Sequence, residues 1–196
     1  MICAKAQGKR KCLHFHLPPH ANQQNSQSVF CLVAEGECEC EKFLQRQVRN
    51  MQEIFETASP EETYELGRKF GMKAAAGLVL CLNGDLGTGK TVFTQGFAAG
   101  LGITEPVNSP TFTILQIYEE GRLPLYHFDV YRIGDIEEMD EIGYEDCFFG
   151  EGVSLVEWAE LIEELIPRDA VHVTIEKDLE KGFDYRKIIV RQEELC

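Results

Sequence analysis

Four residues between positions 84 and 91 have the types and spacing needed to bind phosphate. Gly84, Gly89, Lys90 and Thr91 fit the pattern G-x-x-x-x-G-K-[ST], which is typical of loops that bind nucleoside triphosphates. Glycines let the backbone wrap around an oxyanion with its N–H groups pointing inward, lysine supplies a cation, and the threonine hydroxyl suits Mg²⁺. The residues expected to bind nucleotide here are Gly84, Asp85, Leu86, Gly87, Thr88, Gly89, Lys90 and Thr91.

Two acidic residues further along the chain each follow a short apolar run. Asp129 comes at the end of LPLYHFD, and Glu157 at the end of GVSLVE. In a phosphate-binding enzyme, a carboxylate at a strand end can hold Mg²⁺ or orient the attacking water. We therefore expect both acids at the nucleotide site. His127 lies on the same face of its strand as Asp129, and we expect its role to be structural.

A polar loop, residues 108–113, lies between the phosphate-binding loop and these acids. Pro106 and Pro110 exclude a helix here. The hydroxyls of Ser109 and Thr111 could sense a γ-phosphate, as switch loops do. The alternative is an ordinary connection between two elements.

Two other side chains are candidates for contact with the nucleotide. Arg186 begins the last apolar segment, where its guanidinium could reach either the nucleotide or solvent. Trp158 directly follows Glu157, and on its own it would more commonly pack in a core.

The elements that must position these residues can be read from periodicity and capping signals. Ser59, Pro60 and Glu62 form a capping box that starts a first helix, which we expect to end at Lys73. The other expected elements are strands at 78–82, 112–118, 123–131, 152–157, 170–177 and 185–191, and helices at 90–101 and 158–166. This order predicts a three-layer α/β protein of the P-loop NTPase type, with a mixed, partly antiparallel sheet.

The charge of the chain is unevenly distributed. The formal net charge is -14, yet residues 1–50 hold 7 Lys and Arg against 4 Asp and Glu, so the remainder carries a net charge of -17. An acidic body repels a phosphate backbone, so we expect RNA to be held by a partner and no contact with DNA. No apolar run reaches membrane-spanning length, and we expect a cytoplasmic protein with no membrane partner.

The first fifty residues differ from the rest. They contain five of the eight cysteines and three of the five histidines, without the spacing usual for zinc ligands. We expect residues 1–50 to be a disordered extension or the product of a mis-assigned start, with Met51 as a credible initiator. Residues 51–196 would then form the P-loop ATPase domain.

Four motifs taken together resemble a known family. GDLGTGKT, NSPTFTI, LYHFDVYR and LVEWAE, in this order and spacing, are similar to the TsaE (YjeE) family of P-loop ATPases of bacterial tRNA threonylcarbamoyladenosine biosynthesis. The resemblance covers about residues 55–191. It implies that ATP and Mg²⁺ are bound, that Thr91 and Glu157 ligate the metal, and that Asp129 serves hydrolysis.

The resemblance also implies further contacts and partners. Trp158 matches the family's tryptophan beside the metal-binding glutamate, and Arg186 is the match for an arginine that contacts the nucleotide. TsaD and TsaB are the implied partners, which carry the tRNA and the transfer chemistry while ATP hydrolysis resets the complex. With Lys90, Asp129 and Glu157 as catalytic residues and no evident arginine finger, we expect slow turnover that partners accelerate.

Three other classes of protein use a similar phosphate cradle. A small-molecule kinase is the main alternative, although the segment after Asp129 is acidic and lacks the arginines of a kinase lid. A GTPase would need an Asn-Lys-x-Asp string, which the sequence lacks. A non-enzymatic scaffold that is locked by bound nucleotide would bind ATP without turnover.

Overall fold

The structure, a computed structural model, describes residues 2–6, 9–13 and 48–195. They divide into two compact units, with the second comprising Arg49–Leu195. In the first unit, β1 (Ile2–Ala6) pairs antiparallel with β2 (Lys9–Leu13). Most of the N-terminal extension proposed from the sequence, residues 14–47, lies outside the described residues.

The second unit is built on a seven-stranded mixed sheet. Its strands are β3 (Val48–Thr57), β4 (Val79–Asn83), β5 (Leu115–Tyr118), β6 (Leu125–Asp129), β7 (Val153–Glu157), β8 (Val171–Lys177) and β9 (Arg186–Leu195). The order across the sheet is β3-β9-β8-β4-β7-β6-β5. Strands β8, β4, β7 and β6 are parallel, whereas β9 and β5 pair antiparallel with β8 and β6. The predicted mixed sheet is therefore confirmed.

Helices pack on both faces of this sheet. They are α1 (Pro60–Lys73), α2 (Lys90–Leu101), α3 (Glu138–Ile142), α4 (Tyr144–Phe148) and a 3₁₀ helix, Ala159–Leu165. Successive residues of a strand point to opposite faces. Accordingly, Leu80 and Leu82 of β4 pack in the core that contains α1 and α2, whereas Val79 and Cys81 pack in the core that contains α3 and α4. These three layers confirm the predicted fold class.

The start of α1 follows the predicted capping pattern. The Ser59 hydroxyl accepts a hydrogen bond from the Glu62 N–H at 3.2 Å, and the Glu62 carboxylate accepts one from the Ala58 N–H at 2.7 Å. These bonds satisfy backbone donors that the first turn of a helix leaves free. The helix then runs from Pro60 to Lys73, as predicted.

Glycines allow α1 to lie very close to α2, the helix that follows the phosphate-binding loop. A Cβ on Gly96 would lie 2.0 Å from the carbonyl oxygen of Tyr64, and one on Gly71 would lie 2.0 Å from that of Phe97. Neither neighbour is a side chain that could rotate away. The backbones themselves are in contact, so α1 fixes the position of α2.

Gly96→Ala is therefore expected to destabilise the fold. The gain in helix propensity is about 1 kcal/mol, but the clash is with backbone, and we expect a net loss of about 2 kcal/mol in the free energy of unfolding. Urea denaturation measures this loss. Gly134→Ala is the control, because its Cβ would meet only a flexible Glu138 carboxylate at 3.5 Å. Equal midpoints for the two variants would contradict this account of the helix packing.

Several predicted strands differ from the observed ones in their bounds, β3 was not predicted, and two elements differ for reasons that the structure shows. The strand predicted at 112–118 begins only at Leu115, because the N–H groups of Thr113 and Ile114 both donate to the Pro110 carbonyl and close a turn. The helix predicted at 158–166 begins only at Ala159, because Trp158 has a left-handed φ of 63°, and it is a 3₁₀ helix interrupted at Ile162, whose φ is -128°. Across the described part of the chain, no helix is both long and apolar enough to traverse a membrane.

Candidate functional site

The glycine-rich loop connects the carboxyl end of β4 to α2. Gly84, Gly87 and Gly89 have φ values of 143°, 73° and 100°, which are available to glycine and strained for other residues. A Cβ on Gly84 would also lie 2.5 Å from the Ile175 carbonyl oxygen. The backbone of the loop therefore requires glycine at these positions, as the motif predicts.

Lys90 reaches back over this loop from the first residue of α2. Its Nζ donates to the carbonyls of Gly84 at 2.7 Å and Asp85 at 3.1 Å, and lies 4.0 Å from the centre of the Trp158 ring. The residue is only 6% exposed. Burial lowers the pKa of its amine, and the nearby carboxylates of Glu157 and Asp129 partly oppose this effect. A bound anion would compensate the desolvated cation.

The two predicted acids lie side by side at the edge of the sheet. Asp129 and Glu157 are the last residues of β6 and β7, are paired with each other in the parallel register, and are each 2% exposed. Because β7 is also the neighbour of β4, both acids lie at the same end of the sheet as the glycine-rich loop. The sheet thus brings together residues that are up to 73 positions apart, from Gly84 to Glu157.

Asp129 is held by the polar loop at 108–113. The hydroxyls of Ser109 and Thr111 each donate to its Oδ2 at 2.6 Å, and the N–H of Tyr131 donates to Oδ1 at 3.2 Å. Both carboxylate oxygens therefore have protein donors. The two hydroxyls that the sequence offers as γ-phosphate sensors are bound to the acid itself.

Glu157 has a different set of contacts. Its Oε1 lies 3.0 Å from Nε2 of His127, and within the part of the chain that the structure describes no donor reaches Oε2. His127, expected to be structural, is fully buried two register positions inside the acidic pair, where it is paired with Leu155. Its contact with Glu157 could not be read from the sequence, because it depends on which strand lies beside β6.

A cavity of about 490 Å³ lies between the loop and the acids. Its lining includes Lys90, Thr91, Asp129, Glu157 and Trp158, together with most of the other predicted site residues. Sequence reasoning missed two lining residues, which are Val92 and Tyr131. The Tyr131 ring packs against Trp158 with 5.0 Å between ring centres. In the sequence, the only indication of a role for Tyr131 is its position two residues after Asp129.

Four predicted residues support the loop from outside this cavity. Gly84 and Asp85 contribute the carbonyls that hold Lys90, and the buried Thr88 hydroxyl donates to the Asp85 carbonyl at 2.9 Å. Arg186 lies in a smaller cleft of about 40 Å³, where its Nε donates to the carbonyl of Thr88 at 2.6 Å. The Arg186 guanidinium therefore stabilises the loop in this structure.

Strained backbone lies next to the acids. Within the described residues, Ile114 and Trp158 are the non-glycine residues with positive φ, at 64° and 63°. The Ile114 carbonyl accepts from the Asp129 N–H at 2.9 Å, and Trp158 follows Glu157 directly. Such strain costs on the order of 1–3 kcal/mol per residue and is concentrated at functional sites.

The residues present fit a nucleotide with its metal. A cavity of this size suits a small cofactor, and its oxygen donors include the Thr91 hydroxyl and the Glu157 carboxylate. Mg²⁺ prefers oxygen ligands and commonly takes only one or two from the protein, with phosphates and water completing its shell. Three similar cavities, of about 490, 530 and 480 Å³, lie elsewhere on the described surface and contain none of the loop glycines or paired acids.

Comparison with known protein families gives a match over the part of the chain that contains these site residues. Residues 57–188 match the family described as threonylcarbamoyl adenosine biosynthesis protein TsaE. The chain belongs to the TsaE family. The match spans both acids, the polar loop and the glycine-rich loop, and it confirms the resemblance found in the sequence.

Individual TsaE proteins and one solved structure are similar to this chain. The TsaE protein of Bacillus subtilis is 49% identical over 142 residues, covering 71% of this chain and 89% of its own length. That of Treponema pallidum is 42% identical over 117 residues, covering 60% and 86%. A crystal structure of YdiB from Bacillus subtilis superposes with a TM-score of 0.64 at 44% identity, covering 74% of this chain and 87% of that one.

Proposed function

We propose that the chain is an ATP-hydrolysing subunit of tRNA threonylcarbamoyladenosine biosynthesis. The observation that carries this proposal is the single cavity lined by Lys90, Thr91, Asp129 and Glu157 in a chain of the TsaE family. The loop supplies phosphate-binding amides, and the acids supply the charge needed for Mg²⁺ and water. A role with tRNA would place the protein in the cytoplasm.

The proposed mechanism is attack of water on the γ-phosphate of ATP, which breaks the bond from the γ-phosphorus to the β–γ bridging oxygen and releases ADP, phosphate and one proton. The loop amides and the Lys90 ammonium would bind the phosphates, while the Thr91 hydroxyl and the Glu157 carboxylate would hold Mg²⁺. Mg²⁺ would neutralise charge on the β- and γ-phosphates. Trp158 and Tyr131 line the cavity beside Lys90, and their packed rings would exclude water from that side of the bound nucleotide.

The role proposed for Asp129 is to orient the attacking water. The Ser109 and Thr111 hydroxyls fix one of its oxygens, so its carboxylate does not rotate freely. These hydroxyls could exchange Asp129 for a γ-phosphate when ATP binds. The polar loop would then report the state of the nucleotide and act as the proposed switch.

TsaB and TsaD are the proposed partners. Because the body that carries this site is acidic, contact with tRNA through those partners is more favourable than direct binding. The test is an ATPase assay of the purified full chain with and without TsaB and TsaD. We expect slow Mg²⁺-dependent hydrolysis alone and faster turnover with both partners. Binding without turnover in both conditions would contradict the proposal, and so would a phosphorylated metabolite, which indicates a kinase.

Residues 51–196 are proposed to form the ATPase domain. Strand β3 spans Val48–Thr57 at the edge of the sheet, so a chain that starts at Met51 loses only three residues of that strand. We expect this shorter chain to have an unfolding midpoint and an ATPase rate close to those of the full chain. Thermal unfolding and turnover, measured side by side, test this. A large fall in either would show that residues 1–50 belong to the functional unit.

A further inference from the structure

His127 is a buried polar residue in a position where an apolar one would be favoured by packing alone. It lies in the middle of β6, its exposed fraction is 0%, and both neighbours along the strand point to the other face. Removing an imidazole from water without full hydrogen bonding costs free energy. Here only Nε2 has a hydrogen-bond partner, whereas Nδ1 is buried and has none among the described residues.

The single contact of His127 fixes the position of its proton. An ionised carboxylate can only accept hydrogen bonds, and Nε2 of His127 lies 3.0 Å from Oε1 of Glu157. A carboxylate that ligates a metal must be deprotonated, so in the metal-binding state Nε2 of His127 is the atom that carries the hydrogen and donates it. No acceptor among the described residues lies within hydrogen-bond distance of Nδ1. Nothing in the described structure therefore favours the tautomer that carries the hydrogen on Nδ1.

This donation makes the two oxygens of Glu157 unequal. Oε1 is bound to His127, whereas no donor within the described residues reaches Oε2. Both oxygens of the neighbouring Asp129 already accept hydrogen bonds. Of the two paired acids, Glu157 is thus the one with an oxygen available to a cation in the cavity that it lines.

A glutamate has three rotatable side-chain bonds, and fixing them costs conformational entropy. The bond from His127 fixes them in the folded protein, before any metal binds. Hydrogen-bonded partners of metal ligands typically change metal affinity by roughly 10- to 100-fold when they are removed.

We propose that His127 is a positioning residue, which holds Glu157 through Oε1 and directs Oε2 to the metal of the bound nucleotide. This inference rests on the proposed nucleotide site and adds a residue to it. His127 itself does not touch the nucleotide or the metal in this arrangement.

Metal affinity of the nucleotide complex is the direct test. The full chain is saturated with a non-hydrolysable ATP analogue, and free Mn²⁺ is followed by electron paramagnetic resonance during titration. We expect His127→Leu to weaken Mn²⁺ binding by about tenfold or more, with metal-free binding of the analogue within about twofold of wild type. His127→Gln, whose amide nitrogen can replace Nε2, should recover most of the affinity.

A double-mutant cycle separates positioning from a general loss of structure. If His127 acts through Glu157, His127→Leu should cause no further loss of Mn²⁺ affinity in a Glu157→Gln background. Unchanged Mn²⁺ affinity in His127→Leu would overturn the inference, and so would equal losses in the two backgrounds. Failure of the wild-type chain to bind the analogue at all would instead refute the proposed function.

A measurement on the unmodified chain keeps the test valid if His127→Leu does not fold. Nitrogen-15 NMR of the His127 ring distinguishes a protonated from an unprotonated Nε2. A protonated Nε2 that remains so when Mg²⁺ and the analogue are added supports the proposal. An unprotonated Nε2 would overturn it, because the imidazole could not then donate to Glu157.

Discussion

Replacing Lys90 with alanine is expected to reduce ATP binding and hydrolysis by at least about 100-fold. Its ammonium is held over the loop by two carbonyls, beside the space that the phosphates would occupy. In a site shielded from water, one charged donor of this kind contributes on the order of 10²–10³ in rate. Equilibrium binding of a fluorescent ATP analogue and steady-state turnover measure the two effects separately.

The matched control for Lys90 is Lys187. It is exposed, pairs with Glu176 at 3.3 Å, and lies away from the cavity. Lys187→Ala should bind and hydrolyse ATP like the wild type. The Lys90→Ala chain should remain folded, because burial lowers the pKa of Lys90 and its charged form therefore contributes little to folding stability. ATPase activity in a folded Lys90→Ala chain would exclude the proposed phosphate site.

Glu157→Gln is expected to have opposite effects on metal-bound and metal-free nucleotide. With the carboxylate charge removed, Mg²⁺ should be needed at about tenfold higher concentration, and turnover should fall by about 100-fold. Metal-free ATP should bind at least as tightly as to the wild type, because a carboxylate that is 2% exposed repels the phosphates strongly. Lys90→Ala, in contrast, weakens binding with and without Mg²⁺.

Titration of ATP at several Mg²⁺ concentrations separates these two patterns. The amide oxygen that Glu157→Gln introduces can still accept from His127, so the local packing should be kept. Glu176→Gln serves as the control, since Glu176 is an exposed acid on β8 and its loss should alter neither Mg²⁺ dependence nor turnover. Weaker binding of metal-free ATP to the Glu157→Gln chain would contradict a metal-binding role for this acid.

The parts of the fold that sequence reasoning predicted are those with local causes. The capping box of Ser59 and Glu62 starts α1, the glycines of the loop require positive φ, and the apolar runs before Asp129 and Glu157 form buried strands. Each signal lies within a few residues of the structure that it specifies. For this reason the phosphate-binding loop and both strand-end acids could be named in advance.

The parts that sequence reasoning missed depend on contacts between distant segments. The pairing of β6 with β7 places His127 beside Glu157, thirty residues away along the chain, and no local pattern indicates this neighbour. Likewise, the segment predicted as an α-helix at 158–166 is a 3₁₀ helix interrupted at Ile162, and the Trp158 N–H before it donates to Leu82 in β4. Strand order and long-range hydrogen bonds, rather than propensity, determine these details.

The most direct test of the central claim is a crystal structure of the chain with a non-hydrolysable ATP analogue and Mn²⁺ in place of Mg²⁺. Anomalous scattering locates the Mn²⁺ ion independently of the protein and the nucleotide. We expect one ion between the β- and γ-phosphates, coordinated by the Thr91 hydroxyl and by Oε2 of Glu157, with the phosphates against the loop amides before Lys90. An ion bound away from Glu157, or an analogue bound outside the cavity, would contradict the account.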